Sequence, residues 1–249
     1  IKMLEQKLGS ALFVRARSGM RLTPEGESLL HYAKLIKQME GECLAQIKGT
    51  DPHTLIPIAI SAPSSMMHSS IMAAFLSVAA KYPYLRLRFE VDDSSQQASL
   101  LQTGKVDFAV LAPEHISADM QQKMLKPQQY YLAISKKWAH REVEDIIENE
   151  SIIDFNPQDA MSFEYLKQLG LFDKAQKQRH FVNDIQLLQE AIGCGLAYSV
   201  LPSCFFSANA HPEVVLLDQL PALEQNMALC WYWRSEMPDY FKTLLSLDL

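Results

Sequence analysis

The sequence of 249 residues predicts an α/β fold in two lobes, preceded by a small basic segment and one long helix. Apolar strands alternate with helical segments from residue 55 onward, which is typical of α/β proteins. A polar, turn-forming stretch at residues 50–54 separates this body from the segment before it. Hydrophobic residues make up 48% of the chain, which suffices for two cores. No apolar run reaches the roughly 18–20 residues of a membrane span.

The charge is unevenly distributed, although its total is −6. Residues 1–50 carry eight Lys and Arg against five Glu, whereas the remaining residues carry fifteen cations against twenty-four acids. A basic head on an acidic body indicates an anionic partner for the head alone. From charge alone, a solvated basic surface is the alternative.

Residues 1–23 predict a short helix followed by a β-hairpin. Ile1, Leu4 and Leu8 have helical spacing, and two short strands flank a turn at Ser18–Gly19. The hairpin carries three arginines on or beside its turn, which suits contact with the phosphates or the minor groove of double-stranded DNA. These predicted DNA-binding residues are Arg15, Arg17 and Arg21.

A long helix is predicted from residue 24 to about residue 48, with Thr23 as its N-cap and Gly49 at its end. Mostly apolar residues recur along this helix at alternating spacings of 3 and 4 positions. This spacing is that of a heptad seam. The seam needs a partner, which is either the body of this chain or the same helix of a second chain. We expect a homodimer formed through helix 24–48.

The body is predicted to contain strands joined by helices, in an order that implies parallel sheets. Its predicted strands are 55–61, 85–91, 105–112, 130–135, 151–156, 179–183, 195–201, 213–218 and 226–233. Its predicted helices are 64–81, 94–103, 161–169, 184–193 and 237–247. We expect residues 24–49 to form a linker and 54–249 the body, with one lobe of about 54–125 and 225–249 and another of about 126–224.

Polar residues follow several of these strands. Ligands of an open parallel sheet bind beyond the carboxyl ends of its strands, where helices begin. Hydroxyls and helix N–H groups together with carboxylates would suit a zwitterion with an extra positive charge, such as a basic amino acid. The predicted effector-binding residues are Ser61, Ser64, Ser65, Asp92, Asp93, Leu111, Phe155, Asn183 and Asp184, and Asp154 and Tyr198 are expected to face the same cleft.

Structural roles are the alternative for many of these side chains. Ser64, Ser65, Ser94, Asp92, Asp93 and Asp184 also fit helix caps. Asp107 is expected to be structural, His68 to be a hydrogen-bonded core or surface histidine, and Trp231 to pack within its strand.

No catalytic residue, metal site or cofactor is predicted. The sequence has no Walker loop, no GxGxxG and no GxSxG motif. Cys194 lies between two glycines at the end of a helix, where a turn is expected rather than a nucleophile. The absence of paired cysteines indicates a reducing compartment, hence a cytoplasmic location. The four cysteines are Cys43, Cys194, Cys204 and Cys230.

The first thirty residues resemble the end of the winged helix-turn-helix domain of LysR-type transcriptional regulators. That pattern comprises I-x-x-L-E, a Leu-Gly turn, an L-F-x-R strand, a wing and L-T-x-x-G. The matching residues are Ile1, Leu4, Glu5, Leu8, Gly9, Leu12, Phe13, Arg15, Leu22, Thr23 and Gly26. The body is similar to the effector-binding domain of that family, and more narrowly to its lysine- and arginine-responsive branch, the chromosome initiation inhibitors. Residues Val91–Asp93, Val182–Asn183 and Leu229–Trp231 carry this narrower likeness.

The resemblance implies a two-lobed, periplasmic-binding-protein-like effector domain preceded by a linker helix and the C-terminal part of a winged helix-turn-helix. Residues 1–23 would be the remnant of the DNA-binding domain, with most of the recognition helix before residue 1. The family binds promoter DNA as an oligomer and responds to a small-molecule effector held between its lobes. A homotetramer built from dimers is therefore expected. The alternative function is that of a periplasmic solute-binding protein with the same two-lobed body.

Overall fold

The computed structural model describes residues 1–16, 19–30, 32–33, 36, 55–93, 96–206, 211–232 and 237–248. The chain divides into two compact units, one of Ile1–Leu125 with Ala228–Leu249 and one of Lys126–Met227. We call residues 55–125 with 228–248 lobe I and residues 126–227 lobe II. None of the helices in the described ranges is both long and apolar enough to cross a membrane.

The N-terminal segment contains the predicted helix and hairpin. Helix α1 spans Lys2–Leu8 and ends at Gly9, whose φ of 67° is left-handed. Strand β1 (Phe13–Ala16) pairs antiparallel with β2 (Gly19–Leu22). Helix α2 is described as helical over residues 24–30. Its predicted extension to residue 48, and the heptad seam, lie largely outside the described residues.

Three residues of the motif at the start of the chain hold this segment together. The Glu5 carboxylate accepts the N–H of Leu12 at 2.8 Å, which ties α1 to the hairpin. The Thr23 hydroxyl donates to Ala11 O at 2.7 Å and accepts the N–H of Gly26 at 3.0 Å, which confirms Thr23 as the cap of α2. A Cβ at Gly26 would lie 2.1 Å from Leu12 O, so only glycine fits there.

Lobe I is built on a mixed sheet. Its strands are β3 (Ile56–Ala62), β4 (Leu85–Val91), β5 (Phe108–Leu111), β6 (Met120–Met124) and β13 (Ala228–Tyr232). Its helices are α3 (Ser64–Met66), a π-helical turn (Met67–Ile71), α4 (Met72–Lys81), α5 (Gln97–Gln102) and α9 (Asp239–Ser246). The sheet order is β4-β3-β5-β13-β6. Strands β3, β4 and β5 are parallel, whereas β13 is antiparallel to both of its neighbours.

Aromatic rings form much of the lobe I interior. Phe108 of β5 is 1% exposed, and its ring centroid lies 4.8 Å from Phe241 of α9 and 5.3 Å from Phe75 of α4. Trp231 of β13 lies 5.6 Å from Phe241, which confirms the predicted strand-packing role of this tryptophan. The rings therefore join one face of β5 and β13 to the helices α4 and α9.

Lobe II holds a second mixed sheet. Its strands are β7 (Gln128–Ser135), β8 (Ser151–Asp154), β9 (Arg179–Phe181), β10 (Ala197–Pro202), β11 (Val214–Leu216) and β12 (Leu223–Gln225). Its helices are α6 (Val143–Asn149), α7 (Met161–Gln168) and α8 (Ile185–Cys194). The order is β11-β7-β10-β8-β9, with β12 also paired to β7. Strands β8, β9 and β10 run parallel, and β7 is antiparallel to β10.

The predicted α/β class is confirmed, and so is the parallel order predicted for the first three strands of the body, which are β3, β4 and β5. The strands β7, β11, β12 and β13 add antiparallel pairs that were not predicted. The predicted strand 105–112 is shortened to Phe108–Leu111. Asp107 instead binds Ala59 twice, through its N–H and through its carboxylate, both at 2.8 Å. That contact confirms the structural role expected of Asp107.

Candidate functional site

The parallel strands of lobe I end at one edge, where Ser61 lies in β3. Ser61 is fully buried, and its Oγ has no hydrogen-bond partner among the residues that the structure describes. Most buried hydroxyls are paired, because an unmet hydrogen bond costs free energy. An unpaired hydroxyl at a strand end therefore marks a place where a polar ligand group would gain a bond.

Ser64 and Asp93 are brought together at the same edge. The N–H and Oγ of Ser64 both donate to Asp93 Oδ1, at 2.8 and 3.1 Å. Ser64 is the first residue of α3 after Pro63, so the capping carboxylate comes from the end of the neighbouring strand. The expectation that Ser64 itself caps the helix is wrong. The N–H of Ser64 already holds a carboxylate, so the negative charge of Asp93 faces this edge.

The other lobe I candidates have structural contacts. Asp92 Oδ2 accepts the N–H of Gln96 at 3.0 Å, which fixes the chain just before α5. Ser65 is buried within α3. Leu111 is 2% exposed, so its side chain is a core residue and does not form the surface of the edge. The predicted cap Ser94 lies outside the described residues.

In lobe II the candidate residues lie on two segments. Phe155 follows β8, and Asn183 and Asp184 lie between β9 and α8. The Phe155 N–H donates to the carboxylate of Asp159 at 3.3 Å, and the ring is half-buried against the core beneath α8. Asn183 is exposed. Asp184 caps α8 by accepting the N–H groups of Gln186 and Leu187 at 2.9 and 3.0 Å, which confirms the capping alternative.

Asp154 and Tyr198 are buried inside lobe II. Tyr198 is fully buried in β10, and burial raises the pKa of its hydroxyl. Tyr198 is the second residue of β10 and so lies near the amino end of that strand, not at the carboxyl end as expected. Asp154 is 1% exposed, and its carboxylate lies 2.6 Å from Arg179 and 2.5 Å from the Ser162 hydroxyl. Burial raises the pKa of Asp154 to about 6, against the lowering effect of Ser162 and Arg179.

Sequence reasoning missed Arg179 and Ser162. Arg179 is the first residue of β9, and an arginine at the start of a short strand is usually an exposed surface residue. Ser162 lies in the first turn of α7 and is fully buried. The sequence shows only that Arg179 is a charged residue in a predicted strand, and this does not indicate which residue it pairs with.

The hairpin places Arg15 on β1 and Arg21 on β2, where Arg21 is exposed. Arg17 lies outside the described residues. The DNA-binding role of the three arginines stays a prediction.

Other motif residues have ordinary contacts. His68 is exposed, with Nδ1 2.7 Å from Ser64 O, as expected for a hydrogen-bonded histidine. Cys194 ends α8 before Gly195, whose φ is 84°, and its thiol bonds Ala191 O. In the described ranges no His, Cys, Asp and Glu side chains cluster closely enough to hold a metal ion.

The described residues thus form two α/β lobes, preceded in the chain by a hairpin and the start of a helix. Residues 57–247 match the family model described as LysR substrate binding domain. The chain belongs to the LysR family, whose members are transcriptional regulators and not enzymes.

Three known proteins show how similar this chain is to other members of the family in sequence and in structure. The HTH-type transcriptional regulator ArgP of Photorhabdus laumondii is 25% identical over 238 residues, which covers 93% of this chain and 77% of that protein. The crystal structure of ArgP from Mycobacterium tuberculosis is 20% identical with a TM-score of 0.81, covering 98% of this chain and 84% of that one. Full-length LysG of Corynebacterium glutamicum with bound effector Arg is 21% identical with a TM-score of 0.74, covering 98% and 83%.

Proposed function

We propose that this protein is a transcriptional regulator that senses a basic amino acid, arginine or lysine, at the strand-end edges of its body. The observation that carries the proposal is the Asp93 carboxylate, held at the start of α3 beside Asp92. Two carboxylates at one edge favour a ligand with an additional cationic group. The similarity to ArgP, and to LysG with its bound Arg, supports the same effector class.

Each group of such an effector has a candidate partner. The buried hydroxyl of Ser61, which has no partner among the described residues, would donate to the effector carboxylate. Asp93 would accept from the effector's cationic group. In lobe II, Phe155 would contact the aliphatic part of the effector and Asn183 a polar group. Ser64, Ser65, Asp92, Leu111 and Asp184 would then support these contacts through the helices and the sheet.

The remaining parts of the chain would turn binding into regulation. Arg15, Arg17 and Arg21 would contact the backbone or minor groove of promoter DNA. Helix 24–48 would pair two chains, so that the symmetry of the dimer matches two half-sites, and dimers would pair into a tetramer. The effector shifts the population toward the arrangement that it binds more tightly. We propose that this happens in the cytoplasm, where promoter DNA is found.

A thermal-shift screen against the twenty amino acids tests the proposal. Ligands that bind only the folded state raise the melting temperature, and more so the further their concentration exceeds Kd, so arginine or lysine should raise it while other amino acids leave it unchanged. Asp93→Asn should abolish that shift, because the amide can still accept the N–H of Ser64 but carries no charge. Asp119→Asn, an exposed control in lobe I, should keep the shift. A shift with dicarboxylic or aromatic acids and none with arginine or lysine would refute the proposed effector class.

A further inference from the structure

A buried ion pair lies in lobe II, close to the two segments that carry the candidate residues Phe155 and Asn183. Asp154 ends β8, and its Oδ2 lies 2.6 Å from Nη1 of Arg179 on the neighbouring strand β9. The two side chains are 2% and 10% exposed. The other carboxylate oxygen accepts the Ser162 hydroxyl from α7 at 2.5 Å. Removing two charges from water is costly, and such pairs often add little stability compared with apolar packing. The pair therefore calls for an explanation other than stability.

The guanidinium of Arg179 is bound on several sides. Besides Asp154, it donates to the carbonyl oxygen of Pro157 at 2.9 Å and to that of Asp159. It also lies over the ring of Phe163, 4.5 Å from the centroid, and over that of Phe181, at 5.2 Å. An arginine fork can hold a carboxylate and two carbonyls at fixed angles, which a lysine cannot do. Arg179 therefore fixes the backbone of the loop at residues 155–160 as well as the charge of Asp154.

The loop at residues 155–160 has further internal bonds. Asn156 Oδ1 accepts the N–H groups of Gln158 and Asp159 at 2.9 and 3.0 Å. Asp159 in turn accepts the N–H of Phe155 through one carboxylate oxygen and that of Met161 through the other. The conformation of Phe155 thus depends on a loop whose carbonyls are held by Arg179.

The segment that carries Asn183 is also bonded to Asp154. The carbonyl oxygen of Asp154 accepts the N–H of Val182 at 3.0 Å, immediately before Asn183. Asp154 therefore contacts the loop that begins with Phe155 through Arg179, and its main chain holds Val182, the residue before Asn183.

We propose that Asp154 and Arg179 form a positioning pair that sets the placement of Phe155 and Asn183 for effector recognition. The inference rests on the proposed function, because it assigns those two residues to the effector edge of lobe II. Recognition groups need to be held within a fraction of an ångström by supporting contacts, and buried charge pairs supply such geometry at a cost in stability.

The pair also makes recognition sensitive to pH. The described groups that face the Asp154 carboxylate are Arg179 on β9, Asp159 in the loop, Tyr198 on β10 and Ser162 on α7. Because burial raises the pKa of Asp154 to about 6, acidification to pH 5 neutralises it and breaks the charge pair. Arginine and lysine keep their charges over this range. Effector affinity should therefore fall as the pH drops from 8 to 5.

Two measurements on the variants Arg179→Lys and Arg141→Lys test the positioning role of Asp154 and Arg179. Arg141 is the matched control, since it is also an arginine of lobe II that pairs with two acids, Asp145 and Glu150, but it lies just before α6 and is partly exposed. The first readout needs no ligand and follows amide hydrogen exchange of Phe155 and Asp159. Arg179→Lys should speed their exchange by about tenfold or more, the equivalent of one lost charge-assisted bond, and Arg141→Lys should leave it unchanged.

The second readout is calorimetric affinity for L-arginine. At pH 8, Arg179→Lys should weaken binding by about tenfold, since it loses charge-assisted bonds to the loop. Asp154→Asn should bind weakly with the same affinity at pH 5 and pH 8. Unchanged exchange in Arg179→Lys would overturn the positioning role whatever the effector is. Faster exchange with unchanged affinity would overturn the link to recognition. If the wild-type chain binds neither arginine nor lysine, the proposed effector fails, whereas the exchange result still decides on the pair.

Discussion

Replacing Phe108 with alanine is expected to lower the free energy of unfolding of lobe I by about 3–5 kcal/mol, the usual cost of deleting a buried aromatic ring. Phe108 is 1% exposed and contacts the rings of Phe75, Trp231 and Phe241. Its removal takes a shared partner from α4, α9 and the strand β13. Urea unfolding monitored by circular dichroism measures the effect, and the transition of lobe I should move to lower urea.

Leu76→Ala is the matched control for that experiment. Leu76 lies on the outer side of α4, where its side chain is 48% exposed, so its truncation creates little cavity. We expect a change within about 0.5 kcal/mol, as for other surface substitutions. Equal destabilisation by the two variants would show that the aromatic cluster does not form the centre of the lobe I core.

The second large effect is on the pH dependence of stability, through Asp154. In the folded chain its pKa is about 6, against the ordinary 3.8, so the folded state binds this proton more tightly than the unfolded state does. Stability therefore falls as the pH rises from about 4 to about 6, and the loss persists above that range. The shift corresponds to a loss of about 3 kcal/mol, at 1.36 kcal/mol for each pKa unit. Asp154→Asn removes this contribution, because the amide does not titrate.

Urea unfolding of the wild type and Asp154→Asn between pH 4 and pH 8 measures this contribution as the difference between the two curves. That difference should change by about 2–2.5 kcal/mol between pH 4 and pH 8, because at pH 4 the carboxyl of the unfolded chain is already more than half ionised. Asp145→Asn is the control of opposite sign. The hydrogen bond from Arg141 lowers the pKa of Asp145, so its small stabilisation is present at neutral pH and is lost as the pH falls. Parallel curves for wild type and Asp154→Asn would contradict the assigned titration.

Several elements of the fold were predictable because they are strongly patterned. The run at residues 105–112 and the strand at 85–91 are apolar or alternating, and they lie on either side of β3 in the parallel part of the lobe I sheet. The polar strands β6 (MQQKM) and β12 (LEQ) were missed, because edge strands lack an apolar face that identifies them. The antiparallel placement of β13 depends on where the chain returns from lobe II, which local pattern does not encode.

The candidate site was predictable only in part, for a similar reason. Capping by Asp184 follows from its position one residue before an apolar helix, and the structure shows it. The contact of Asp93 with Ser64 joins residues 29 positions apart, so sequence spacing suggested a cap by Ser64 itself. The pairing of Asp154 with Arg179 likewise depends on two parallel strands being neighbours. Tyr198 was misplaced because its strand starts at Ala197 and is buried along its whole length.

The most direct test of the central claim is a calorimetric titration of this chain with L-arginine and L-lysine at pH 8. We expect saturable binding of at least one of them at a single site per chain, lost in Asp93→Asn and kept in Asp119→Asn. Absence of heat with both, together with saturable binding of a dicarboxylic or aromatic acid, would contradict it.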